Sequence, residues 1–299
     1  MFKGIYTAII TPFLKSGSID YNSLIKLLEK QNESRVSGVV ILGTTAEECT
    51  LTSQECECVL ALACKVLNNK QIIVGVSGNC TAKMIEKINI YSKYPIHGFL
   101  IGSPYYNKPS QSGLYKHFKQ IALSTNLPII LYNIPGRCGI SISLDVFKRL
   151  QEFSNIVAIK EASGNADYFT QLIAQLGDRY NILCGNDNIL FPMLCCGASG
   201  GITVVGNIYP HIACFLYENH NKNLQKCTFL HNKCINFINS LFLETNPMCV
   251  KYVLYKHGLC KNYLRSPLCE VEKKTKRQID CMIKELILND YLQTLDVLQ

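Results

Sequence analysis

Several architectures are excluded by what this chain lacks. No stretch reaches the ~18 consecutive apolar residues that a bilayer-spanning helix requires. The first residues, Met1-Phe2-Lys3-Gly4-Ile5-Tyr6, carry a lysine but no apolar segment followed by a small-residue cleavage site. They do not read as a signal peptide, and the cytoplasm is the expected location. Neither GxGxxG nor GxxxxGK with a following Ser or Thr comes after any apolar run, which removes the usual nucleotide-binding fingerprints. Sixteen cysteines are present, yet they form no CxxC pair and no Cys/His cluster with zinc spacing. Disulfide frameworks belong to small secreted domains, not to a chain of 299 residues. The cysteines, with Cys56, Cys58 and Cys64 on one predicted helix and Cys195 and Cys196 on another, are therefore read as reduced small hydrophobes. Acids are scarce beside bases, 22 against 30, for a net charge of +8. The excess lies late in the chain, at Lys251, Lys256, Lys261, Arg265, Lys273, Lys274, Lys276 and Arg277. Aromatic side chains that would stack bases are sparse there. The tail accordingly reads as a solvated helix face, and neither nucleic acid nor membrane is an expected partner.

What is present is a repeated unit. Hydrophobic residues make up 48% of the chain, enough to fill a large core. Eight short apolar runs recur: Ile5-Thr11, Gly38-Leu42, Ile72-Val76, Gly98-Ile101, Ile129-Tyr132, Val157-Lys160, Ile182-Cys184 and Gly201-Val205. They are spaced by roughly 20–35 residues, the length of a βα unit. Being apolar along their whole length, they suit parallel strands covered on both faces. Helix signals fall between them. Thr52-Ser53-Gln54-Glu55 is a capping box, and Val59, Leu60, Ala63, Val66 and Leu67 continue one apolar face. Thr81 precedes Met84, Ile85, Ile88 and Tyr91 at helical spacing, and Ser143 can cap Val146, Phe147 and Leu150. Eight alternating units predict an α/β fold, a closed (β/α)₈ barrel, with an open doubly wound sheet as the weaker option.

After about residue 222 the strand-like runs stop. Three helical stretches follow, Leu224-Leu243, Pro247-His257 and Val271-Leu288, with Asn246-Pro247 expected to act as cap and first helical residue. The expected organisation is a catalytic barrel over residues 1–222 and a helical C-terminal domain over 223–299, packed on it without a flexible linker.

In such a barrel, function sits at the C-terminal ends of the strands. The second run ends in Gly43-Thr44-Thr45-Ala46-Glu47, two hydroxyls beside exposed N–H groups, which suits either a carboxylate or a plain capped turn. The fourth ends in Ser103-Pro104-Tyr105-Tyr106-Asn107. The fifth ends in Tyr132-Asn133-Ile134-Pro135-Gly136-Arg137, a phenol that can relay a proton and a guanidinium that can grip an anion. The sixth ends in Lys160-Glu161. A free lysine has a pKa of about 10.4 and is a poor nucleophile at neutral pH unless desolvation or a nearby cation lowers that value. An apolar barrel and Arg137 supply both, the arrangement Schiff-base lysines use. A Lys160–Glu161 surface pair is the bland alternative, disfavoured because adjacent strand residues face opposite ways. Gly185-Asn186-Asp187 and the glycines Gly200, Gly201 and Gly206 leave room for a ligand against the backbone; Asp187 itself reads more simply as a helix cap.

GTTAE at 43–47, PYYNKPSQSGLYKHF at 104–118, YNIPGRCG at 132–139, IKEASG at 159–164 and GND at 185–187 together resemble the dihydrodipicolinate synthase family. The resemblance runs from Gly4 to about Asn207. It implies that Lys160 forms an imine with pyruvate and that Tyr132, Thr44 and Tyr106 relay protons, Tyr106 reaching in from a neighbouring subunit. It further implies that Thr45, with backbone at Gly185 and Ile202, binds the pyruvate carboxylate, and that Arg137 anchors the carboxylate of L-aspartate-4-semialdehyde. No metal or organic cofactor is implied, and the family is usually a homotetramer built as a dimer of dimers. N-acetylneuraminate lyase and related 2-oxo-acid aldolases share the lysine and the YNIP segment. The double Thr44-Thr45 and Arg137 directly after Pro135-Gly136 favour the synthase.

The chain also departs from the family pattern. Ala46 stands where glycine is common. In lysine-sensitive members an acidic residue follows four positions after the asparagine that matches Asn79, and a histidine lies on the second helix. Here those positions hold Lys83 and Cys56, while Asn79 and Tyr105 are retained. Weak or absent inhibition by L-lysine is the expectation.

Overall fold

The computed structural model describes residues 1–288; the end of the expected C-terminal domain, residues 289–299, lies outside the described residues. The apolar runs form β1 (Gly4–Ala8), β2 (Gly38–Ile41), β3 (Gln71–Val76), β4 (Gly98–Gly102), β5 (Ile129–Asn133), β6 (Ile156–Glu161), β7 (Asn181–Cys184) and β8 (Gly200–Thr203). Each pairs in parallel with its sequence neighbour, and β8 pairs back to β1 with Gly4 opposite Gly200, closing the barrel. Around it lie α1 (Tyr21–Glu33), α2 (Ser53–Val66), α3 (Thr81–Tyr91), α4 (Gln111–Leu123), α5 (Pro135–Cys138), α6 (Leu144–Arg149), α7 (Ala166–Leu176), α8 (Leu190–Cys195) and α9 (Pro210–Asn219). The tail adds α10 (Leu224–Ser240), α11 (Met248–Lys256) and α12 (Lys273–Leu288).

Alternation along the strands divides the apolar side chains into two cores. The larger lies between strands and helices. The smaller fills the barrel, where Phe2, just before β1, packs edge to face with Tyr6 on it, and Ala8 stands at the upper end of that strand. Bulk below and a methyl group above leave space at the C-terminal mouth. The capping box at Thr52 forms as its pattern predicts, and Ser143 caps α6 through Val146 N. Cys214, Cys227, Cys234 and Cys249 are among the cysteines buried as small apolar groups.

Several expected boundaries move because side chains capture backbone groups. The first run was expected to extend to Thr11, but the ladder stops at Ala8, and Ile10 N–H donates to Asn207 Oδ1 at 3.1 Å. The eighth stops at Thr203 because Val204 and Val205 donate their N–H groups to Asp187. Asp187 is thus a clamp between the ends of β7 and β8 and not a simple helix cap. Thr81 is the first residue of α3, and its hydroxyl pairs with His117 Nδ1 at 2.8 Å. Helix α11 begins at Met248 with Pro247 as its cap residue, so Asn246 is released from capping.

The basic tail is solvated as expected at Lys256, Lys261, Lys273, Lys274 and Arg277, but not at Lys251, and only in part at Arg265 and Lys276. Lys251 is completely buried, with Nζ 2.5 Å from Glu47 Oε1, 3.1 Å from Tyr263 O and 4.1 Å from the centre of the Phe13 ring. Glu47 Oε2 accepts from Arg265 N at 3.1 Å. The Arg265 guanidinium holds Glu55 through two bonds and donates to Thr50 O and Gly17 O. Lys256 and Lys276 pair with Asp280 and Glu270 nearer the surface. The sequence shows the charges of Lys251 and Arg265 but not their acids, Glu47 and Glu55, which lie more than 200 residues away. Removing one member of a buried pair strands the other charge, at a cost of about 3–5 kcal/mol. We therefore expect Lys251→Met to lose stability in that range by denaturant unfolding, with Glu47→Gln in the same chain restoring part of it. A loss below about 1 kcal/mol would contradict this picture of the pair.

Candidate active site

The site begins with strand register. Tyr132 on β5 lies opposite Lys160 on β6, and Asn133 lies opposite Glu161. The first pair points into the barrel and the second away from it. Glu161 is used outside, where Asn133 Nδ2 donates to Oε2 and Ser163 N donates to Oε1, each at 2.6 Å. The surface pair of Lys160 with Glu161 therefore does not form. Lys160 is 5% exposed, and its Nζ sits 4.2 Å from the centre of the Tyr132 ring.

Burial strips water from this amine and pulls its pKa down to about 8. The Asp187 carboxylate pulls it partly back up, and the Arg137 cation pushes it down. Asp187 acts on Lys160 through its field, since its oxygens accept Val204 N at 2.9 and 3.0 Å and Val205 N at 2.8 Å. Burial raises the Asp187 carboxyl above the usual range, against the pull of those bonds and of Lys160. The lysine stem needs the glycine after β7. A Cβ at Gly185 would lie 2.8 Å from Lys160 Cε and 2.7 Å from Ala162 Cβ.

The remaining groups converge from other strand ends. Thr44 and Thr45 occupy a tight turn, Thr44–Ala46, after β2. Thr44 hydrogen-bonds the Tyr132 phenol, whose pKa is raised by burial and eased back by Arg137 and by this bond. Thr45 is buried, and its Oγ1 accepts from Asn246 Nδ2 at 2.9 Å. Arg137, on the one-turn helix α5 opened by Pro135, donates Nη2 to Asn246 O at 2.8 Å.

Thr44, Thr45, Tyr132, Arg137, Lys160 and Gly185 line one cavity of about 680 Å³. Two predicted residues are not among its lining. Ile202 is buried in the barrel interior, and Tyr106 is 87% exposed on the loop after β4 with φ +69°. An adjoining chamber of about 360 Å³ shares Thr44, Tyr132 and Arg137 and is bounded by Tyr105, Cys138 and Leu268. Sequence reasoning missed the rim Phe242–Asn246, which the tail contributes between α10 and α11. The only sequence signal was Asn246-Pro247, which is equally a helix start. The arrangement is a buried amine near neutrality, a phenol–hydroxyl pair able to move protons, and an arginine at the mouth.

Residues 1–286 match the model of the Dihydrodipicolinate synthetase family. The chain belongs to that family. A 4-hydroxy-tetrahydrodipicolinate synthase of Pelobacter propionicus is 37% identical over 286 residues, covering 95% of this chain and 98% of its own. The solved structure of the 4-hydroxy-tetrahydrodipicolinate synthase from Methylacidiphilum fumariolicum SolV superposes with a TM-score of 0.93 at 37% identity, covering 99% of both chains. The Acinetobacter baumannii dihydrodipicolinate synthase, solved in complex with pyruvate, superposes with a TM-score of 0.93 at 36% identity, covering 96% of this chain and 99% of its own.

With Lys160 as the attacking amine only its neutral form reacts, and kcat/KM for the oxo acid is then expected to fall tenfold per pH unit below its pKa of about 8. Asp187 raises that pKa, so Asp187→Asn should move the acid limb of the profile to lower pH. A limb that stays in place or moves upward would contradict the electrostatic assignment.

Proposed function

We propose that Lys160 adds to C2 of pyruvate and, with loss of water, forms an imine from which this chain makes 4-hydroxy-tetrahydrodipicolinate, the first committed step toward diaminopimelate and lysine. Loss of a methyl proton gives the enamine, whose carbon attacks the aldehyde of L-aspartate-4-semialdehyde. The α-amine of that substrate then attacks C2, closing the ring and releasing the Lys160 amine. Tyr132 and Thr44 carry protons to and from these centres, which their mutual hydrogen bond suits. Thr45, with backbone at Gly185 and Ile202, takes the pyruvate carboxylate, and Arg137 takes the carboxylate of the second substrate. The observation that carries the reading is Lys160, buried, facing the cavity and with a pKa drawn to about 8.

Tyr106 completes the relay from a neighbouring copy. Its exposure and left-handed backbone suit a side chain presented outward and not packed in its own fold. The adjoining chamber beside Thr44 and Tyr132 offers it a place. The assembly proposed is a homotetramer of two such pairs, located in the cytoplasm, with the catalytic barrel over residues 1–222 and the helical domain over 223–299. Among the described residues no helix is long and apolar enough to cross a membrane.

Purified protein given pyruvate and L-aspartate-4-semialdehyde should form the dihydropyridine precursor and should not cleave N-acetylneuraminate; the opposite pattern would transfer the chain to the sister aldolases. Regulation is predicted to be weak. Lys83 is exposed on α3, Cys56 is buried on α2, and Glu48 is already neutralised by Lys87. A like-charge contact at 4 Å and a dielectric near 20 costs about 4 kcal/mol. Half-inhibition by L-lysine at low or sub-millimolar concentration would contradict this.

A further inference from the structure

Asn246 lies on the tail, outside every motif at the barrel's strand ends, yet it touches both carboxylate-binding residues. Its Nδ2 donates to Thr45 Oγ1 at 2.9 Å, and its backbone oxygen accepts from Arg137 Nη2 at 2.8 Å. It borders both the Lys160 cavity and the adjoining chamber. Its Oδ1 is buried without a hydrogen-bond partner among the described residues. The end of the side-chain amide that meets the site is therefore its N–H end.

That N–H end has a chemical consequence. A threonine hydroxyl has one proton and two acceptor lone pairs. Because Thr45 Oγ1 accepts from Asn246, its own proton is free to be donated to a carboxylate in the cavity. A partner that accepted from Thr45 would consume that proton and turn a lone pair toward the substrate's negative charge. The Arg137 contact adds a second constraint, since the carbonyl holds one guanidinium nitrogen and leaves the others for an anion.

We propose that Asn246 is a positioning residue that orients the Thr45 hydroxyl as a donor to the carboxylate of the 2-oxo acid and holds Arg137 for the carboxylate of the second substrate. The inference rests on the assignment of Thr45 made above. Neither group is replaced by scaffold rigidity alone, because a rigid loop with the wrong proton direction repels the ligand it is shaped to hold.

The test compares Asn246→Asp, Asn246→Ala, Thr45→Val and the double variant Asn246→Ala/Thr45→Val in the full chain, with KM and kcat measured for each substrate. Aspartate has nearly the same shape but accepts where the amide donates. The proposal expects Asn246→Asp to raise KM for pyruvate at least about tenfold, Asn246→Ala less, and kcat at saturation to change less than either. It also expects the alanine change to add little to pyruvate KM once Thr45 is valine, while still raising KM for the semialdehyde through Arg137. Asn246→Asp no worse than alanine would overturn the proton-direction argument. An alanine effect on pyruvate KM that is undiminished in the Thr45→Val chain would overturn it independently, even if the aspartate variant did not fold. If Thr45→Val alone left pyruvate KM unchanged, the Thr45 assignment itself would fall, and the inference with it, whereas borohydride trapping of pyruvate would still report on Lys160.

Discussion

A primary amine held in a nearly dry barrel, with no carboxylate among the described residues bonded to it, is the constraint around which this structure is arranged. Water normally stabilises the ammonium form, and at the mouth of the barrel little water reaches it. A carboxylate in direct contact would restore the charge and the inertness. The fold avoids this by alternation, which sends Glu161 to the outside of β6 and Lys160 to the inside. It keeps Asp187 near but occupied with two backbone N–H groups. Aromatic bulk at the bottom of the barrel and glycine after β7 then give the amine a floor and a side pocket.

The helical tail is part of this arrangement. Lys251, Arg265 and Asn246 all reach the segment Thr45–Glu55, Lys251 through an ion pair taken out of water and Arg265 through one that stays partly exposed. A buried ion pair is weak evidence of stability, because desolvation offsets much of its attraction. It is stronger as a device for register, since only one docking of the tail satisfies Glu47, whose backbone is left-handed at φ +55°. The turn bearing Thr44 and Thr45 immediately precedes that residue. The docked tail and the two hydroxyls are therefore joined through one short segment, and Phe242–Asn246 complete the lining of the cavity.

The barrel was legible because each strand is apolar on both faces and separated from the next by a helix-period segment. The strand-end residues were legible for the same reason, since alternation decides which of Lys160 and Glu161 faces in. Boundaries were less so, because Asn207 and Asp187 capture backbone N–H groups from partners far along the chain. Asn246 was hidden by a local signal of equal strength, as Asn-Pro reads as a helix start. Lys251 was hidden by its surroundings of other cations, and only the folded chain reveals its acid. Long-range polar pairing leaves no periodicity in a sequence, and these are the positions where local reading failed.

Every step proposed for this site requires Lys160 to be the amine that bonds to the oxo acid. Borohydride reduction of the protein in the presence of pyruvate, followed by peptide mass mapping, measures this directly. A single adduct on Lys160, absent when that residue is alanine, is the predicted result. An adduct on another lysine, or full turnover by the alanine variant, would contradict the account.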